Sequence, residues 1–186
     1  MGTLFAFETF PILETRHLVL REMVEQDAEA LFRIFSDPDV MRYYDVEAFT
    51  DLIQAQQLVA RQHYRFEQKQ RFRWGIALKE TDELIGTCGF VLWERRQYYA
   101  EIGYDLASKY WRQGFMSEAA QAMVKFGFAH MDLHRIEAMV MPENIASLQL
   151  LRKLGFREEG LLRERGFWKG TFHDLILFSL LKQDLV

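Results

Sequence analysis

Two short stretches of the chain hold residues whose types and spacing suit chemistry. The first is residues 100–117, AEIGYDLASKYWRQGFMS. In it an extended segment runs into a glycine-containing loop, and a helix starts directly behind. A helix N-terminus carries unpaired N–H groups and positive partial charge, so a loop of Arg112, Gln113, Gly114, Phe115 and Met116 can cradle a pyrophosphate. Gly114 lets the backbone approach an anion with no Cβ in the way, and Arg112 adds a charge-assisted contact. The same glycine equally serves a plain strand-to-helix turn. The second stretch is residues 144–156, NIASLQLLRKLGF. Asn144, Ser147 and Leu151 are spaced i, i+3, i+7 and share one helix face. Asn144 also suits a helix N-cap, and Ser147 suits a helix serine bonded to a carbonyl one turn back.

The elements that must position these residues are legible from periodicity. Residues 16–23 alternate apolar and polar and predict a first strand. Ala28, Leu31, Phe32 and Phe35 follow helical spacing over 27–35, and Asp37-Pro38-Asp39 then breaks the helix. A second helix is expected over 50–68 with Thr50 as its N-cap. Segments 72–78 and 84–93, joined by the polar turn 80–83, and segment 98–106 predict an antiparallel meander. A helix over 117–130, a strand over 135–140 and a helix over 144–154 stopped by Gly155 follow. Two late strands, 156–164 and 171–181, close the chain. The order β α α β β β α β α β β predicts a mixed α/β fold around a mostly antiparallel sheet.

Composition limits the function classes. The 186 residues are 49% apolar and 27% charged, with 16 Phe, 7 Tyr and 4 Trp, enough for a sizeable core. One domain over 14–186 after a lead-in at 1–13 is the expectation, since no linker or repeat divides the sequence. A single cysteine excludes an intramolecular disulfide framework and a Cys-rich zinc site. The net charge of −4 disfavours direct nucleic-acid binding, which needs a basic surface. No apolar run is long enough to span a bilayer, and residues 1–10 lack a basic start, so a cytoplasmic protein is expected, with no membrane partner. His130 and His134 are i, i+4 but lack the glutamate of a zinc-protease helix, so no metal site is assigned. Cys88, inside a strand, reads as a small core residue rather than a nucleophile. The run from Trp93 to Tyr99 reads as a hairpin whose loop faces either substrate or solvent.

Taken together, the two stretches resemble the GCN5-related N-acetyltransferase (GNAT) family, in its branch of RimJ/RimL-type ribosomal-protein N-terminal acetyltransferases. LETRHLVLREM (13–23) is similar to that branch's opening strand. AEIGYDLASKYWRQGFMSEAA (100–120) is similar to the family's acetyl-CoA motif, and residues 135–160 to the region after it. The resemblance covers about 13–184. It implies a sheet of about seven strands flanked by about four helices, with acetyl-CoA as co-substrate. Two departures stand out. Where the wider family reads Gln/Arg-x-x-Gly-x-Gly/Ala, this chain has Trp111, Gly114 and Met116, so the Met116 side chain must point away from the pyrophosphate. Where many members carry a tyrosine as general acid, this chain has Leu151.

The resemblance also implies a mechanism, direct transfer of acetyl to a primary amine. Glu101 is the implied base, acting directly or through a water, because an ammonium must lose a proton before it attacks. Asp105, on the same strand face, is the weaker alternative. Backbone N–H groups of the strand Ile102, Gly103, Tyr104, Asp105 and Leu106 are implied to hold the pantetheine arm and the oxyanion. The loop Arg112 to Ser117 is implied to hold the pyrophosphate. Asn144 is implied to bond the cofactor arm or the acceptor, and Ser147 to hydrogen-bond the departing sulfur. The branch points to a protein N-terminal amine as acceptor. A small amine such as a polyamine or antibiotic, or a non-catalytic acyl-CoA sensor, are the competing readings. Homodimers occur among such relatives.

Overall fold

The computed structural model describes residues 7–185; the readings that fall on 1–6 and 186 lie outside them. Eight strands form one sheet in the order β1-β2-β3-β4-β5-β6-β8-β7. They are β1 (Leu13–Glu14), β2 (Leu18–Arg21), β3 (Arg73–Leu78), β4 (Leu84–Glu94), β5 (Tyr99–Leu106), β6 (Arg135–Val140), β7 (Arg157–Trp168) and β8 (Thr171–Leu181). The helices are α1 (Ala28–Ser36), the single turn α2 (Pro38–Met41), α3 (Leu52–Glu67), α4 (Phe115–His130) and α5 (Ile145–Lys153). The extra strand over the expected seven is the two-residue edge β1, too short to show a period. The extra helix is α2, which Pro38 opens at its first position.

All neighbouring strands are antiparallel except β5 and β6. The expected meander is β3-β4-β5. The parallel pair is joined through α4, as a parallel connection requires a crossover. Its ladder is short: Tyr99 lies opposite Arg135, Ala100 opposite Ile136 and Glu101 opposite Glu137. β5 then runs on to Leu106 and β6 to Val140 without pairing to each other. The sheet therefore opens as a wedge in its middle.

One face of the sheet carries α4 and α5 on a core that includes Trp74, Phe90, Ile102, Met123, Leu151 and Phe178. Side chains of this size contribute about 1.5–3 kcal/mol each when fully buried. A second cluster packs α1 and α3 through Leu31, Ile34, Phe35, Ala55 and Leu58. Along β5 the period of two sends Ala100, Ile102 and Leu106 into the first core and turns Glu101, Gly103 and Asp105 to the opposite face.

The helix caps show how local chemistry sets boundaries. α3 is capped by Asp51 rather than Thr50. The Asp51 carboxylate accepts from Ile53 N–H at 2.8 Å, and Gln54 Oε1 accepts from Asp51 N–H at 3.0 Å. The residue three past Asp51 can reach back to close this reciprocal box. Asn144 caps α5, its Oδ1 accepting from Ser147 N–H at 3.2 Å. Gly155 follows α5 with φ +89°, as a left-handed helix stop requires.

Candidate active site

β5 brings most of the sequence-identified residues to the wedge. Glu101 occupies the last paired rung and is half buried. Its carboxylate makes no hydrogen bond among the described residues. Burial pushes the carboxyl above its ordinary pKa, Glu137 across the rung and Asp45 reinforce this, and Arg165 and Arg71 oppose it. A buried anion beside another anion disfavours its charged form, which is the condition of a group ready to take up a proton.

Asp105, two alternations along the same face, has a different environment. Its side chain is buried and takes Arg73 Nη2 at 2.6 Å, Thr87 Oγ1 at 2.7 Å, Thr87 N–H at 3.0 Å and the Tyr44 hydroxyl at 3.2 Å. Arg73 donates its Nε to Thr87 Oγ1 at 2.6 Å. The carboxylate offered as the weaker base is thus committed to a buried ion pair. Tyr44, between α2 and α3, is tied to the sheet through it, and burial pushes its phenol up. Sequence reading missed Arg73, Thr87 and Tyr44. Each lies 18 or more positions from Asp105, and an arginine inside an apolar strand was the one available signal.

The loop after β5 has the geometry of an anion cradle. Arg112 has φ +60° and Gly114 φ +91°, and a Cβ on Gly114 would meet nothing within 4 Å. Gly114 is the N-cap of the 16-residue α4 and supplies no side-chain cap, so the leading N–H groups of Phe115, Met116 and Ser117 have no side-chain acceptor among the described residues. The helix begins two residues earlier than periodicity indicated, because Phe115 and Met116 pack against the core. That packing turns the Met116 side chain toward the core. Trp111 donates its indole N–H to Leu106 O at 2.7 Å, and Gln113 donates to Lys109 O at 2.8 Å, pinning the loop to the end of β5. Arg112 is exposed.

On the α5 side of the wedge, Ser147 is buried and its Oγ lies 2.7 Å from the Tyr104 hydroxyl of β5. Burial pushes the Tyr104 phenol up to about 12, against the hydrogen bond with Ser147. Leu151 is fully buried. Asn144 is half buried, with its Oδ1 used as a cap. Cys88 is fully buried with its thiol pushed up to about 12 by burial, as a core residue should be. His130 packs on Phe126, ring centroids 4.9 Å apart. The run from Trp93 to Tyr99 is the β4–β5 turn, with the Arg95 guanidinium 4.4 Å above the Trp93 ring.

The parallel strand pair thus opens beside a helix N-terminus that has no side-chain cap, with a carboxylate that makes no hydrogen bond among the described residues at its last rung. Residues 17–157 match the sequence profile of the acetyltransferase (GNAT) domain. The chain belongs to the GNAT family. It is 44% identical over 172 residues to the uncharacterized N-acetyltransferase p20 of Bacillus licheniformis, covering 92% of this chain and 97% of that one. It superposes on the crystal structure of a GNAT-family acetyltransferase from Bacillus anthracis with TM-score 0.84 and 29% identity, over 93% of this chain and 99% of that one. It is 31% identical over 119 residues to the [ribosomal protein uS5]-alanine N-acetyltransferase of Escherichia coli, over 63% of this chain and 61% of that one. As a GNAT N-acetyltransferase it uses acetyl-CoA as its donor. The residues fit that donor: past Glu101 the edge of β5 that faces β6 has no strand partner among the described residues, while the other edge stays paired with β4, and the loop at Gly114 is open where phosphates would approach. Among the described residues no helix is long and apolar enough to cross a membrane.

Proposed function

We propose that the chain, through its domain at 14–186, acetylates the α-amine of a protein N-terminus, with Glu101 as the base. Glu101 carries the proposal: a half-buried carboxylate with no hydrogen-bond partner among the described residues, on the rung where the ladder ends. It draws the proton from the incoming ammonium directly or through one water. The free β5 edge from Ile102 to Leu106, including Gly103, Tyr104 and Asp105 through their backbones, would hold the pantetheine arm and donate N–H groups to the acyl oxygen. Arg112, Gln113, Gly114, Phe115, Met116 and Ser117 would hold the pyrophosphate at the start of α4. Acetyl-CoA supplies an activated acyl group and a thiolate leaving group.

Glu101 and Ser147 approach the wedge from opposite faces of the sheet. The proton is taken on one face, and the departing sulfur is met on the other by a hydroxyl. With Leu151 buried in the core, Ser147 and its neighbour Tyr104 are the hydroxyls available there. The 31% identity to the [ribosomal protein uS5]-alanine N-acetyltransferase of Escherichia coli supports a peptide acceptor over a simple polyamine. Glu137 and Asp45 surround Glu101 with negative charge, and Arg165 and Arg71 with positive charge.

Release of CoA thiol from acetyl-CoA tests the proposal. Peptides beginning with Ala, Ser, Met or Thr would be compared with spermidine and free lysine. Turnover with one peptide class names the acceptor. Turnover confined to spermidine or lysine would replace the peptide with a small amine.

A further inference from the structure

We propose that Tyr104 is a positioning residue that donates its phenolic proton to Ser147 Oγ and so frees the Ser147 hydroxyl proton for the sulfur that leaves. The inference rests on the reading of Ser147 given above. The two hydroxyls are 2.7 Å apart, and this is the one hydrogen bond of the Tyr104 hydroxyl among the described residues. Tyr104 comes from β5, three residues beyond the last rung shared with β6, and Ser147 from the first turn of α5. The bond therefore bridges the two walls of the wedge at its open end.

Direction follows from chemistry. A phenol is a far stronger acid than an aliphatic alcohol, so the favoured arrangement has Tyr104 O–H donating and Ser147 Oγ accepting. In that arrangement the Ser147 proton is left over, and no carbonyl or carboxylate among the described residues takes it. The backbone N–H of Ser147 is given to Asn144 Oδ1 at 3.2 Å. Asn144 thus fixes the turn and Tyr104 fixes the rotor. Leu151, one turn further along α5, is fully buried and offers no proton. The tyrosine expected there is absent from the helix, and a phenol reaches the same end of the wedge from the facing strand. When the C–S bond of the tetrahedral adduct breaks, its electron pair goes to sulfur. The Ser147 proton moves toward that sulfur, and the Tyr104 proton toward Ser147 Oγ. The phenol regains a proton from solvent after the thiol leaves.

The test needs no acceptor. CoA is bound to wild type, Tyr104→Phe, Ser147→Ala and the double variant, and its thiol is titrated by ultraviolet thiolate absorbance. In wild type the bound thiol should ionise on the acid side of free CoA, because two linked donors stabilise the thiolate. Each single variant should move the midpoint back by about one pH unit, the worth of one hydrogen bond to an anion. The double variant should go no further, since the pair acts as a unit. CoA affinity should stay within about twofold, because an altered fold would lower it. A Tyr104→Phe midpoint equal to wild type, with Ser147→Ala shifted, would overturn the Tyr104 role and leave Ser147 standing. A wild-type midpoint equal to free CoA would remove both. With an acceptor in hand, kcat of Tyr104→Phe should fall roughly 10- to 100-fold with KM for acetyl-CoA unchanged; a rise in KM alone would assign the phenol to binding.

Discussion

The Arg73–Asp105 pair gives the sharpest test of how this site is built. Replacing Asp105 with Asn keeps the shape but removes the negative charge. The Arg73 guanidinium, with its side chain 10% exposed, then loses its counter-ion at 2.6 Å. An amide must also place two N–H donors where the carboxylate accepted from Arg73 Nη2, Thr87 N–H, Thr87 Oγ1 and the Tyr44 hydroxyl, and both hydroxyl oxygens already accept from Arg73. One of the two donor sets is left facing the other. Breaking a buried pair by removing one partner costs about 3–5 kcal/mol. In a chain of this size each kcal/mol lowers Tm by roughly 2–4 °C, so the melting temperature should fall by about 6–20 °C. Thermal and urea unfolding of Asp105→Asn, beside a charge-free double variant Arg73→Met with Asp105→Leu, would measure it. The double variant should cost less than the single, since it strands no charge. Activity well below Tm should stay within a few-fold of wild type. A melting temperature within 2 °C of wild type would refute the account of the pair, taking about 1 kcal/mol as the least detectable cost. A well-folded variant that loses turnover by about 100-fold would instead make Asp105 a catalytic group.

Glu101→Gln should lower kcat/KM by about 100- to 10,000-fold while leaving acetyl-CoA affinity within about twofold. Because burial and Glu137 raise the Glu101 pKa, the folded state holds that proton more tightly than the unfolded chain. Its contribution to stability is therefore present at low pH and lost as pH rises through the folded value. Urea midpoints at pH 7.5 should be higher for Glu101→Gln than for wild type, and a lower midpoint would contradict the strained-carboxylate account. Gly114→Ala forces a side chain into a left-handed conformation at a cost of about 1–2 kcal/mol, and should weaken acetyl-CoA roughly 10-fold by calorimetry as its Cβ enters the cradle; unchanged affinity would remove the loop from the phosphate site. Glu159 is held down to about 2 by Arg135, whose guanidinium grips it at 2.6 and 2.7 Å, and by Ser179. Its contribution is present above the ordinary carboxylate value and disappears as pH falls toward 2. Glu159→Gln should flatten the acid limb of the stability profile, and parallel profiles would show that the pair does not carry that limb.

Much of the local structure could be read from neighbours in sequence. Strand 135–140 and the late strand 171–181 agree with the structure to the residue; the first alternates cleanly between a buried and a half-buried face, and the second is bounded by the turn at Gly170 and by the short helical turn that begins at Lys182. The glycine stop at Gly155 and the cap at Asn144 likewise depend on groups within three or four residues. The boundaries that moved did so through competition among adjacent groups. Asp51 displaced Thr50 as a cap because Gln54 sits at the right distance to complete its box. α4 started early because Phe115 and Met116 had a core to enter.

The sequence by itself determined the order of the elements other than β1 and α2, the glycine loop before α4 and the face that Glu101 shares with Asp105. These follow from periods of two and 3.6 and from the conformational freedom of one glycine. The two carboxylates on that face have opposite chemistries, and only the tertiary structure decided which was which. Asp105 is neutralised by an arginine 32 positions away, whereas Glu101 meets another carboxylate from β6. The tertiary structure also decided that β5 and β6 part after three rungs, and that Tyr104 reaches Ser147 across the gap. Such pairings depend on how distant segments dock. Alternation along a strand says which way a side chain points and is silent about what waits there.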